Sequence, residues 1–82
     1  MNREDAEEIS QRVVEILEKE RLKRKITKLQ ISKETGLSRT AITLMVKKQN
    51  SPTLRTLMMV SSCIGADLKE IIAEAEKTSS CK

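Results

Sequence analysis

The chain is 82 residues long, with sixteen Lys and Arg against twelve Asp and Glu, a formal charge of +4, no His, no aromatic residue, two Gly and one Pro. That is the size of one small domain, able to bury a modest core but with little room for a deep substrate pocket. Without an imidazole, general base chemistry would need a strongly shifted carboxylate or lysine, so the expectation is a protein that is not an enzyme and uses no cofactor.

Helical periodicity runs through the whole chain, and no useful stretch alternates with period two. From about Asp5 to Arg21, Ile9, Val13, Ile16 and Leu17 recur at helical spacing among charges, with acids leading and bases ending the segment as the helix dipole prefers. Thr27 reads as the N-cap of a short second helix through Thr35 that carries Leu29 and Ile31, and Gly36 follows its end. Ser38 caps a third helix, Arg39 to Lys47, with Ile42, Met45 and Val46 on one face. Lys48-Gln49-Asn50-Ser51-Pro52 reads as a turn. A fourth helix from about Thr53 to Ile64 spaces Leu54, Leu57, Val60, Ser61 and Ile64 toward a core and ends at Gly65. Asp67 caps a fifth helix through about Lys77, with Leu68, Ile71 and Ile72 as its apolar residues. The expectation is a single all-α domain over 1–77, with an acidic first helix in 1–22, a helix pair in 27–47, helices four and five in 53–77, and a frayed tail in 78–82.

Cys63 and Cys81 form no CxxC and have no His to join them, so neither a metal site nor a disulfide framework is expected, and a reducing, cytoplasmic setting is the simplest reading. No apolar run approaches the roughly 20 residues that cross a bilayer, and the start Met1-Asn2-Arg3-Glu4-Asp5 is acidic where a signal peptide would be basic, so no membrane contact is expected. The lack of aromatic stacking platforms speaks against readers of single strands and RNA loops.

Charge is distributed unevenly. Arg21 to Arg55 holds ten basic residues and the single acid Glu34, a net +9, while the remaining residues sum to −5. A basic middle between acidic ends suits contact with a polyanion. Within that middle lies a helix, Gly36-Leu37-Ser38, and a second helix. A glycine-containing turn of this length makes two short helices cross steeply, which is helix-turn-helix geometry, with the second helix free to enter a DNA major groove.

The residues Ile26-Thr27-Lys28-Leu29-Gln30-Ile31-Ser32-Lys33-Glu34-Thr35-Gly36-Leu37-Ser38-Arg39-Thr40-Ala41-Ile42-Thr43, then Ser51-Pro52-Thr53-Leu54-Arg55-Thr56-Leu57 and Ile64-Gly65-Ala66-Asp67-Leu68-Lys69-Glu70-Ile71-Ile72, resemble the lambda-repressor-like (Xre/Cro-type) helix-turn-helix regulators. The resemblance implies a compact five-helix domain whose third helix reads double-stranded DNA, usually as a homodimer on a near-palindromic operator, and a transcription regulator, here a repressor located at the nucleoid. Ser32 and Ser61 stand where the family usually has Ala, so each hydroxyl needs a partner. Val46 stands where many members carry a Glu paired to a base at the end of the first helix, which leaves Arg21 for phosphate, and Lys48 stands where they have Gly. Leu37 to Ile42 with Asn50 to Leu54 also looks like the antitoxins of some toxin-antitoxin modules, the alternative in which a toxin protein is the partner.

On this reading Arg39, Thr40, Thr43 and Leu44 face the bases, with Arg39 suited to guanine O6 and N7. Arg21, Thr27, Lys28, Ser38, Lys47, Lys48 and Gln49 contact phosphate. One helix reads only about 4–5 base pairs, so a two-fold dimer is expected, with Leu68, Ile71, Ile72 and Ala75 of the fifth helix at its interface. No small-molecule effector is expected.

Overall fold

A computed structural model describes residues 1–48 and 52–78. Five helices, α1 (Arg3–Lys23), α2 (Lys28–Thr35), α3 (Arg39–Val46), α4 (Leu54–Ile64) and α5 (Leu68–Thr78), account for the regular structure, and there is no strand among the described residues. The helices start where short polar side chains cap them. Asn2, Thr27, Ser38 and Thr53 each accept a hydrogen bond from the backbone N–H three residues on. Asp67 accepts from the N–H of Lys69 at 3.0 Å at the head of α5. Gly36 and Gly65 end α2 and α4 at φ 79° and 84°, a left-handed conformation that a side chain would strain. Of the expected tail, 79–82 lies outside the described residues.

Val13, Val14 and Leu17 of α1, Ile31 of α2, Ile42 and Met45 of α3, Leu57, Val60 and Ile64 of α4 and Ile71 and Ala75 of α5 form one aliphatic core. The most extensive helix pairing is α1 with α5, and α2 packs on both α3 and α4. This arrangement corrects two readings. Ile71 and Ala75, expected at a dimer interface, are only 5% and 0% exposed because their face of α5 lies inside the core that α1 shares, leaving only Leu68 and Ile72 part-exposed. Leu54, expected in the core, is 62% exposed, since it is the first residue of α4 and lies beyond the helices that cover Leu57.

The two serines find the partners they need. Ser32 Oγ donates to the Leu37 carbonyl at 2.6 Å, and Ser61 Oγ donates to the Met58 carbonyl at 3.1 Å. A hydroxyl replaces a methyl at each place without leaving a buried polar atom unsatisfied.

Candidate nucleic-acid interface

Two helix starts build the surface. Thr27 and Gln30 form a capping box at the head of α2: Thr27 Oγ1 accepts from the Gln30 N–H at 3.1 Å, and Gln30 Oε1 accepts from the Thr27 N–H at 2.8 Å. At α3, Ser38 Oγ accepts from the Ala41 N–H at 3.0 Å. The turn between them is pinned through Leu37, whose carbonyl accepts from Ser32 and whose N–H donates to Thr35 Oγ1 at 3.2 Å. Both backbone polar groups of the middle turn residue are therefore held by side chains of α2, which ties the direction of α3 to that of α2.

Arg39, the first residue of α3, lines one shallow groove together with Thr27 and Lys28 at the head of α2 and with Lys25 at the end of α1. The cationic side chains of Lys25, Lys28, Arg39 and Lys47 make no hydrogen bond or ion pair among the described residues. Arg39 and Thr40 are exposed, while Thr43 and Leu44 are half-buried further along α3. Of these, Lys25, Lys28 and Arg39 gather beside two helix N-termini, whose unpaired N–H groups favour anions, while Lys47 follows the end of α3.

Other basic residues of the +9 segment are committed elsewhere. Arg21, expected at phosphate, is corrected: its Nε donates to Glu18 Oε1 at 2.6 Å, its Nη1 donates to the Ile26 carbonyl at 2.7 Å, and its side chain is only 13% exposed. Glu18, three residues earlier on the same helix, supplies the carboxylate that Val46 does not, and that spacing was the sequence signal for it. Arg24 Nη1 donates to the Ile64 carbonyl at 3.0 Å, and its Nη2 pairs with Glu20 at 3.2 Å, so it ties the end of α4 to α1. Lys48 pairs with Glu15 of α1, a contact thirty-three residues distant that no local pattern announces. The hydrogen bond from Lys48, aided by the charges of Lys48 and Arg12 and opposed by partial burial, holds the Glu15 carboxyl below its ordinary value. Lys48 sits at φ 64° and Lys25 at φ 58°, both left-handed positions. Gln49 lies outside the described residues.

Cys63, half-buried on α4, donates its thiol to Glu34 Oε2 at 2.6 Å. Burial, together with the hydrogen bond to Glu34 and the charge of that carboxylate, pushes the thiol up to about 11. It therefore remains a protonated, unreactive thiol near neutral pH. No group of three or more His, Cys, Asp and Glu side chains placed to hold a metal ion occurs among the described residues. No helix among them is long and apolar enough to cross a membrane.

A cap-pinned helix pair that presents Lys28 and Arg39 without a partner among the described residues has the build of a DNA-binding helix-turn-helix module. The model of a helix-turn-helix family, the Xre and lambda-repressor-like class, matches residues 17–71, well over half of the chain. The chain belongs to this family, whose members are DNA-binding transcription regulators. No curated protein and no solved structure gives a significant match.

Proposed function

We propose that the chain is a sequence-specific repressor that binds double-stranded DNA as a homodimer on a near-palindromic operator. The observation that carries this is the groove in which Arg39 meets Thr27 and Lys28, a free guanidinium at the head of α3 beside the capped start of α2. In this reading α3 lies in the major groove, Arg39 makes two hydrogen bonds to guanine O6 and N7, and Thr40 offers its hydroxyl or methyl to the next base. Thr43 and Leu44, half-buried, contact bases only at the exposed edge of α3. Lys28 and Lys47, with the hydroxyls of Thr27 and Ser38, bind phosphate and set the register. Lys48 joins them only by leaving Glu15, and Arg21 acts as a strut that holds the head of α2.

The dimer surface we infer lies across α4 and α5. Leu54 and Met58, exposed on α4, face Leu68 and Ile72 of α5 across an apolar groove, with Asp67 and Lys69 among its lining residues. Opposite charges on one patch suit a two-fold contact, in which Asp67 of each copy meets Lys69 of the other. Occupancy of a promoter by such a dimer represses without catalysis.

The test is selection of bound duplexes from a random pool at near-physiological salt, with the molar mass of the protein measured alongside. An enriched symmetric site with half-sites about 10 base pairs apart is the expected result. A pool that stays flat while the protein remains folded overturns sequence-specific binding, and an asymmetric site bound by one copy overturns the dimer.

A further inference from the structure

The groove at the heads of α2 and α3 is not purely cationic. Its lining includes Leu22 and Leu29, 62% and 47% exposed, with part-buried Ile26 between them and Lys25, Lys28 and Arg39 around them. Leu22 is the only exposed large hydrophobic residue of α1, and Leu29 is the only one of α2. Phosphate contact gives no reason for either leucine, because a phosphodiester strand offers charge and no apolar side chain to cover them. Left in water, two leucines on one surface cost what their burial would recover. The groove holds about 430 Å³ and is widely open to solvent, so it does not enclose a small ligand as binding pockets do. An elongated occupant fits it better.

We infer that this groove docks an acidic amphipathic segment of a regulatory protein partner, whose apolar side chains cover Leu22, Ile26 and Leu29 while its carboxylates meet Lys25, Lys28 and Arg39. The charge argument is local: the side chains named as lining the groove include four cations and no acid, and of the four only Arg21 is already neutralised. The pattern of spaced apolar anchors among carboxylates is the helix-in-groove mode of peptide recognition. Because Lys28 and Arg39 also belong to the DNA surface proposed above, the partner and DNA exclude one another, and the segment acts as a release signal. Docking itself does not depend on that DNA reading; only the competition does.

The probe is a fluorescein-labelled peptide of about four helical turns with Leu at i, i+3, i+4 and i+7 and Glu elsewhere. Two control peptides replace its Leu by Ser or its Glu by Gln. Anisotropy titrations of the full chain should show the Glu/Leu peptide binding at least about tenfold more tightly than either control. The double variant Leu22→Ser/Leu29→Ser should lose about tenfold in affinity for the peptide while binding duplex DNA within about twofold of the parent. Both leucines are exposed, and a thermal melt confirms that the variant folds. Equal binding of the Leu-to-Ser peptide, or unchanged peptide affinity of the double variant, overturns the inference. A parallel tenfold loss of duplex binding also overturns it, by assigning the leucines to the DNA surface. If the peptide binds as expected but duplex DNA neither binds nor competes, docking stands and the DNA reading fails.

Discussion

Two sets of cations in the same basic segment behave in opposite ways. At the end of α1, Arg21 and the C-cap residue Arg24 turn inward and donate to the carbonyls of Ile26 and Ile64, each also held by a glutamate of α1. At the heads of α2 and α3, Lys28 and Arg39 stand within one groove and touch no partner among the described residues. Equal formal charge thus serves stability in one place and an outside anion in the other. What separates them is the supply of acceptors: α1 brings Glu18 and Glu20 into reach, whereas the only acid between Arg21 and Arg55, Glu34, accepts from Cys63.

Breaking the inward set should have the largest effect. Arg21→Ala leaves the Ile26 carbonyl and Glu18 without their donor and is expected to cost about 2–3 kcal/mol in urea denaturation. A loss below about 0.5 kcal/mol would show Arg21 to be an ordinary surface charge. Arg39→Ala should do the reverse, leaving stability within about 0.5 kcal/mol and removing about 1–3 kcal/mol of discrimination at one base pair. A uniform loss over all duplexes would instead make Arg39 a phosphate contact.

Lys48 lies between the two sets. It holds Glu15 but sits at φ 64°, so Lys48→Gly relieves the left-handed backbone and gives up only an exposed ion pair. The expected outcome is a gain of up to about 1 kcal/mol in denaturation midpoint stability, set against a clear loss if the pair dominates. Lys28→Ala should leave stability unchanged and lower the salt slope of duplex binding by about one. The smallest effect concerns acid. Because Glu15 is depressed in the folded chain, its contribution is present above its ordinary value of 4.5 and lost as pH falls through and below it. Glu15→Gln should therefore flatten the acid limb of the stability profile slightly, and an unchanged limb would show that the pair with Lys48 has no weight.

Much of the fold could be read from single residues acting locally. Thr27 and Ser38 cap the helices they were expected to cap, and Gly36 and Gly65 end theirs, because a cap depends on a few neighbours in sequence. The helix-turn-helix class followed from the same local signs and is the family the chain belongs to. Burial was harder to read. Ile71 and Ala75 have the same spacing whether α5 meets α1 or a second copy, and Leu54 has a core residue's periodicity without a neighbour to cover it. The surface charges are least legible: Arg21 and Lys48 belong by sequence to a basic run, yet Glu18 holds one within a helical turn and Glu15 holds the other across the fold.

The pairing of α1 with α5 also constrains how the chain is born. Val13, Val14 and Leu17 are covered in part by Ile71 and Ala75, the last core residues to be synthesised. At roughly 5–20 residues per second, the ribosome takes about 3–12 s to pass from the first group to the second. During that interval the part of the aliphatic stripe that α5 covers stays open, on a helix whose head carries Glu4, Asp5, Glu7 and Glu8, charges of the kind that oppose association.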